Sequence, residues 1–206
     1  MKKISDSTIN RLSKYFRTLE RLQEKNIETI SSDEIAEIDG VTAAQVRKDL
    51  SFFGTFGKRG LGYNIEELKD IIGNILGLNK QWNVAVVGIG NIGMALIDYD
   101  EFKKQGFLIK LLLDNDDKKI GNKVKNLEIK NFSEAKNHLK KENIQIVVIA
   151  VPSKVAQSVA DIVTSAGIGA ILNFAPLNLK TPDSVMVKNE NMSIELEALS
   201  YFLTNK

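Results

Sequence analysis

The chain has 206 residues, 43% of them hydrophobic and 26% charged, with a formal net charge of +2 and no cysteine. That length suits two modest domains, each with enough apolar material for its own core. The lack of cysteine excludes a disulfide framework, thiolate metal sites and a cysteine nucleophile, and one histidine, His138, leaves no histidine-rich metal centre. No apolar run reaches the length of a membrane span, and residues 1–6 lack the apolar core of a signal peptide. The expected setting is therefore the reducing cytoplasm, with neither membrane nor metal as a partner.

Residues 7–24 carry Ile9, Leu12, Phe16, Leu19 and Leu22 at the three- and four-residue spacing of an amphipathic helix. Ser32 is read as the cap of a short helix over 33–38, with its acids in the first turn. Asp39-Gly40 turns the chain and Thr42 caps a third helix over 43–50, which makes a helix-turn-helix. That third helix sets Gln45, Arg47, Lys48 and Ser51 on or near its solvent side. These are residue types that pair with base edges and phosphates in a major groove.

Over 52–63, aromatics alternate with glycines around the basic tip Lys58-Arg59-Gly60 and end at Tyr63, the pattern of a two-stranded hairpin. Beside a helix-turn-helix such a hairpin is a wing, and Arg59 suits a narrow minor groove. Residues 41–63 hold four basic side chains (Arg47, Lys48, Lys58, Arg59) against one acid, Asp49, whereas residues 1–40 hold seven basic and eight acidic ones. The basic excess is a patch, either a phosphate-facing surface or a plain solvated face.

A helix over 65–76, capped by Asn64 and stopped by Gly77, is expected to join two domains. After it comes a buried strand over 83–87, then Gly88-Ile89-Gly90-Asn91-Ile92-Gly93 opening a helix, then a strand over 108–113 ending in Asp114. Each part has a physical reason. Gly88 permits the tight turn, Gly90 lets the backbone approach a pyrophosphate, and Gly93 permits close helix–strand packing. The pyrophosphate sits at the positive end of the helix, and Asp114 is placed to accept hydrogen bonds from a ribose. That carboxylate repels a 2′-phosphate, and no arginine follows Arg59, so NAD(H) is preferred to NADP(H), with Lys118 and Lys119 as partial compensation.

Helices over 133–142 and 154–166 alternate with strands over 144–150 and 170–173, which completes a parallel sheet. Val151-Pro152 and Asn173-Phe174-Ala175-Pro176 leave strands at the ligand edge, as contacts for a nicotinamide or as ordinary strand-to-loop punctuation. A last amphipathic helix over 193–203 must bury its apolar stripe on its own domain or on a partner. The fold expected is α/β. A winged helix-turn-helix domain with its linking helix (1–78) precedes a Rossmann-like doubly wound parallel sheet (79–190) and a C-terminal helix (191–206).

Several segments carry a family resemblance: Arg11-Leu12 with Tyr15-Phe16-Arg17, the run from Val41 to Ser51 (VTAAQVRKDLS), and FGTFGKRGLGY from Phe53 to Tyr63. So do the glycine loop, Ala95-Leu96 with Tyr99, Val151-Pro152 with Ala156-Gln157, and Ala166-Gly167-Ile168 running into Asn173-Phe174-Ala175-Pro176. With these, the chain resembles the redox-sensing repressor family Rex over nearly its whole length. The resemblance implies a homodimer bound to a palindromic operator, a terminal helix swapped to the partner subunit, and NADH or NAD⁺ as a regulatory ligand, with NADH releasing the DNA. It assigns Gln45, Arg47, Lys48 and Ser51 to the major groove, and Lys58, Arg59, Gly60 and Tyr63 to the wing. It makes Arg17, Tyr99 and position 191 parts of the switch. The family often has an aspartate where this chain has Asn191, and sometimes an arginine where it has Asn91.

Two rival readings share the glycine loop. A small NAD-dependent dehydrogenase needs a proton donor near the nicotinamide, and His138 sits in a polar helix instead. A regulator with another adenylate effector, such as coenzyme A or a nucleotide sugar, is separable only at the nicotinamide edge.

Overall fold

The first element starts where Ser5 turns its hydroxyl onto the Thr8 amide, satisfying one of the open N–H groups of helix α1 (Asp6–Glu24). The structure, a computed structural model, describes residues 4–57 and 61–205, and the chain divides into two compact units, Met1–Lys80 and Gln81–Lys206.

In the first unit α1 buries Leu12, Tyr15, Phe16 and Leu19, one face at helical spacing. Strand β1 (Thr29–Ile30) leads to α2 (Ser32–Asp39). Its cap is Ser31, one residue before the expected Ser32. Glu34 lies three residues after Ser31, and the two exchange bonds: the Glu34 amide donates to the Ser31 hydroxyl at 3.1 Å, and the Ser31 amide donates to the Glu34 carboxylate at 2.8 Å. Gly40, at φ 69°, ends α2, and Thr42 caps α3 (Ala43–Ser51) as expected.

The segment after α3 departs from the hairpin expected over 52–63. Strand β2 (Tyr63–Asn64) pairs antiparallel with β1, matching Thr29 to Asn64 and Ile30 to Tyr63. Gly62, at φ +75°, lies so close to β1 that an added Cβ would stand 2.6 Å from the Ile30 carbonyl. Phe53 and Phe56, read from sequence as alternating strand residues, pack onto the core of the unit. Among the described residues, Phe52 to Gly57 form turns and loop without a strand. Lys58, Arg59 and Gly60 lie outside the described residues.

Helix α4 (Ile65–Leu76), capped by Asn64, is more than a connector. It buries Ile65, Leu68 and Ile72 in the same core as Leu12, Phe16 and Leu19. At Gly73 it passes so near α1 that an added Cβ would stand 3.1 Å from the Phe16 ring.

The second unit begins with β3 (Trp82–Val87), α5 (Asn91–Asp98), the single turn α6 (Glu101–Lys104), and β4 (Phe107–Asp114). A lip of β5 (Lys123–Val124) and β6 (Leu127–Asn131) follows, then α7 (Ala135–Lys141), β7 (Ile146–Ile149), α8 (Ser153–Ser165), β8 (Ala170–Asn173), β9 (Met186–Asn189) and α9 (Met192–Thr204). The strand order is β5-β6-β4-β3-β7-β8-β9, with all pairings parallel except β5 on β6. The chain winds outward from β3 through β4 and β6, returns to β7 and winds the other way. This is the doubly wound order, and its switch point lies between β3 and β7.

One face of the sheet, with Ala85, Val87, Leu111, Leu113, Val147 and Ile149, is covered by Leu139 of α7 and Val159 and Val163 of α8. The other face, with Val84, Val86, Leu112 and Val148, meets Ile97 of α5, while Ile146, Leu172 and Phe174 on that side are only half-buried. Helix α9 buries none of its residues. Met192, Ile194, Leu196, Leu199 and Leu203 are all exposed, so the apolar stripe they form is left open by its own chain.

Candidate functional site

A cleft of about 540 Å³ opens where β3, β4 and β7 end. The three strands finish level, Val87 opposite Leu113 on one side and Ile149 on the other, so the loops after them face one another. Gly88 follows β3 at φ +93°, and an added Cβ would meet the Ala150 carbonyl at 2.6 Å. Gly93 packs α5 so tightly on the loop that an added Cβ would stand 2.1 Å from the Gly88 carbonyl. Gly90 is the opposite case, with nothing within 4 Å of the Cβ position. It lines the cleft and is also the N-cap residue of α5, so no side chain caps the first amides of that helix. Two glycines build the turn, and the third keeps it open to a ligand.

Asp114 is placed as expected, at the end of β4 on the cleft wall, but it is engaged from every side. Its Oδ2 accepts from the Ile89 amide at 2.8 Å and from Lys119 Nζ at 3.1 Å. Its Oδ1 accepts from the amides of Asn115 at 2.8 Å and Asp116 at 3.0 Å. A carboxylate offers about four lone-pair positions, and all are filled. Burial alone raises its pKa, but the Ile89 and Asp116 amides and Lys119 outweigh that and hold it below the usual carboxylate range. Asp114 thus ties the glycine loop to β4. Of its donors only Lys119 is a side chain able to swing away.

The cleft brings Gly88, Gly90, Asp114, Val151 and Pro152 together. It adds an apolar wall the sequence reading missed: Phe132 after β6, and Val155, Val159 and Ile162 of α8. The last three recur at four and three residues on one face of the helix expected over 154–166, a spacing present in the sequence that marks an apolar face without saying what it faces. Asn91 and Ile92 are exposed in the first turn of α5, outside the cleft lining.

Asn173, expected to contact a ligand, is fully buried and organises a loop. Its Nδ2 donates to the carbonyls of Ala175 and Leu177 and to Asn189 Oδ1, and its Oδ1 accepts from the Ala175 amide. Phe174 packs against the second sheet face. Ala175 and Pro176 line a different cavity with Asn191, at the start of α9. Asn191 caps α9, its Oδ1 accepting from the Ser193 amide at 3.1 Å. Tyr99 stacks edge-on against Phe102 with ring centroids 5.2 Å apart, beside yet another cavity. Arg17 pairs with Glu20 at 3.1 Å and lies over the Phe16 ring. His138 sits 3.5 Å from Glu134 on the surface of α7.

In the first unit, a buried cluster holds α3. Asp49, with no exposed surface, accepts from Arg11 Nε at 2.6 Å and Nη2 at 2.8 Å, from the Tyr15 hydroxyl at 3.0 Å and from Gln45 Nε2 at 2.8 Å. Burial raises its pKa, but the bonds from Arg11, Gln45 and Tyr15 prevail and hold it below the usual carboxylate range. Burial and the same carboxylate push the Tyr15 hydroxyl up. The one acid set against the basic patch is therefore consumed internally by Arg11. Arg47 donates to the Ser32 hydroxyl at 2.7 Å and the Ser51 hydroxyl to the Lys48 carbonyl at 2.7 Å, while Arg47 and Lys48 stay exposed. Tyr63 is half-buried in β2.

Comparison with known proteins places this geometry. The redox-sensing transcriptional repressor Rex of Desulforamulus reducens is 50% identical over 204 residues, covering 99% of this chain and 97% of that protein. This chain belongs to the Rex family. The Rex of Carboxydothermus hydrogenoformans is 48% identical, covering 97% of this chain and 96% of its own length. Among solved structures, RSP in complex with β-NAD⁺ and operator DNA superposes with a TM-score of 0.95 at 39% identity, covering 100% of this chain and 94% of that one. RSP in complex with β-NADH gives 0.90 at 38%, covering 100% and 96%. Two family models match: "CoA binding domain" over residues 79–177, and "Putative DNA-binding protein N-terminus" over residues 3–51. Rex proteins are transcriptional repressors, so the dehydrogenase reading falls away.

Proposed function

We propose that this Rex protein is a redox-sensing transcriptional repressor. Its N-terminal domain (1–78) binds a palindromic operator, its Rossmann domain (79–190) binds NADH or NAD⁺ as a signal, and α9 (within 191–206) joins two copies into a homodimer. The observation that carries the nucleotide reading is the open side of Gly90 at an uncapped helix start, where a Cβ would occupy the space a pyrophosphate needs. The wall of Phe132, Val155, Val159 and Ile162 suits an adenine ring. The relatives' shared name, and the RSP structures holding NADH, NAD⁺ and operator DNA, support the signal and the target.

The test is a titration of NADH, and separately NAD⁺, into the protein bound to a labelled palindromic duplex at fixed salt. Salt is held constant because phosphate contacts make DNA affinity steeply salt-dependent. Release by NADH far below the concentration at which NAD⁺ acts is the expected result. DNA binding indifferent to both would sink it. Gly90→Val is expected to abolish the NADH response and leave the affinity for DNA unchanged, by the same assay.

The saturated Asp114 makes a sharper demand. Ribose hydroxyls reach its carboxylate by displacing Lys119, the one mobile donor. Lys119→Met is expected to tighten NADH about two- to fivefold, the size of a partly exposed ion pair, and to weaken NADPH, whose 2′-phosphate would then meet an uncompensated carboxylate. Isothermal titration with both nucleotides checks this.

Position 191 sets the strength of the switch. Asn191 spends one lone pair of its only oxygen on the Ser193 amide, whereas an aspartate could cap α9 with one oxygen and keep the other. Charge-assisted bonds are about twice as strong as neutral ones. Asn191→Asp is expected to widen the gap between NADH and NAD⁺ in the release assay several-fold.

The "CoA binding domain" match favours one alternative, an effector that shares only the adenosine-pyrophosphate half. A thermal-shift panel in which coenzyme A stabilises the protein more than NADH does would bring it forward.

A further inference from the structure

Gln45 is the third residue of α3, near the helix N-terminus, where a recognition helix presents side chains to base edges. Its neighbours are partly committed within the fold. Arg47 is bonded to Ser32, and the Ser51 hydroxyl to the Lys48 carbonyl. Gln45 is committed as well, but in one direction only. A carboxylate can only accept, so the group it turns toward Asp49 has to be the amide nitrogen, at 2.8 Å. That carboxylate is in turn fixed by two bonds from Arg11 and one from Tyr15. The amide of Gln45 therefore has a set orientation, with Oε1 and the second Nε2 hydrogen left over.

We propose that Gln45 reads an adenine in each half-site, and that Asp49, Arg11 and Tyr15 are positioning residues that fix which edge of its amide faces the base. The inference rests on the DNA-binding reading above and adds the base to it. Adenine presents one acceptor, N7, beside one donor, the N6 amino group, and the remaining acceptor and hydrogen of Gln45 match that pair. Guanine presents two acceptors, N7 and O6. A freely turning glutamine can aim both amide hydrogens there, but Gln45 has already given one to Asp49, and its oxygen would face O6. The buried carboxylate thus converts a glutamine of mixed preference into one that rejects guanine.

The test is selection of binding sites by the full-length protein from a randomised duplex library, followed by affinity measurements on the recovered site. The expected result is one invariant adenine per half-site that becomes unconstrained when Gln45→Ala is selected in parallel. Replacing that adenine with 7-deazaadenine, which removes N7, is expected to cost the wild type about tenfold in affinity and Gln45→Ala nothing. A purely structural Gln45 would instead weaken binding to every sequence alike and leave the recovered site unchanged, which overturns the proposal while sparing the DNA-binding reading. Guanine recovered at the Gln45-dependent position also overturns it, because the locked amide forbids that pairing. No enrichment by the wild type would remove the DNA-binding reading, and the inference with it.

Discussion

Asp49→Ala is expected to destabilise the N-terminal unit by about 3–5 kcal/mol, the usual cost of removing one partner from a buried ion pair. The loss is large because the replacement leaves other groups stranded. Arg11 keeps its charge with no carboxylate opposite it, and the buried Tyr15 hydroxyl loses its acceptor. The same cluster shapes the acid response. The folded pKa of Asp49 lies below its unfolded value, so the stability it contributes is present above the unfolded pKa, about 4, and is lost as pH falls through the lower folded value. Thermal melts of the wild type should therefore show an acid limb below about pH 4 that is flatter in Asp49→Asn. A melting temperature for Asp49→Ala within a degree of the wild type would show that the cluster is not what holds α3 in place.

That acid is visible in the sequence, but its role is not. Counted along the chain, Asp49 is one negative charge among four positive ones. Its partners Arg11 and Tyr15 lie 38 and 34 residues upstream, on a different helix, and no local pattern announces such a pairing. The glycine loop was legible for the opposite reason. The constraints on Gly88 and Gly93 arise from atoms a few residues away or at the next strand end, so strand, loop and helix are implied together. Asp114 falls between these cases. Its position was readable from spacing, but its saturation by the Ile89 amide and Lys119 was not, because main-chain donors leave no mark in the sequence. The segment after α3 misled because aromatic alternation is shared by strands and by loops that anchor themselves with rings, as Phe53 and Phe56 do. Strand β9, with the sequence MVKN, is too short and too polar to declare itself.

Asp49 and Asp114 do related work in the two units. Each is buried, each accepts four hydrogen bonds, and each fixes a segment proposed to meet a ligand: α3 in one case, the glycine loop in the other. The switch needs that rigidity. Moving a population from 1:99 to 99:1 takes about 5.5 kcal/mol of differential binding, about half from each of the two sites of the proposed dimer. A recognition helix or a phosphate loop that gave way locally would absorb that energy before it reached the other domain.

The second large effect is expected at α9. Leu196 and Leu199 are 66% and 61% exposed on a helix that buries nothing against its own chain. The second face of the sheet lacks a covering helix over β7 and β8, where Ile146, Leu172 and Phe174 are half-buried, because the connection from β8 to β9 contains no helix. An apolar helix with no cover and an apolar sheet face with no helix are complementary, and a second copy of the chain supplies both. Leu196→Glu combined with Leu199→Glu places two charges where the proposed dimer excludes water, at a cost of several kcal/mol. The expected outcome in analytical ultracentrifugation is conversion of the dimer to monomer at micromolar protein. Affinity for the palindromic duplex should fall about 10²-fold or more, because two linked heads become two separate ones. Affinity for a single half-site should stay unchanged, which separates lost linkage from a damaged head. If α9 were simply a solvated tail, the two substitutions would sit at the surface, where changes are usually within about 0.5 kcal/mol. The protein would then sediment and bind DNA as the wild type does.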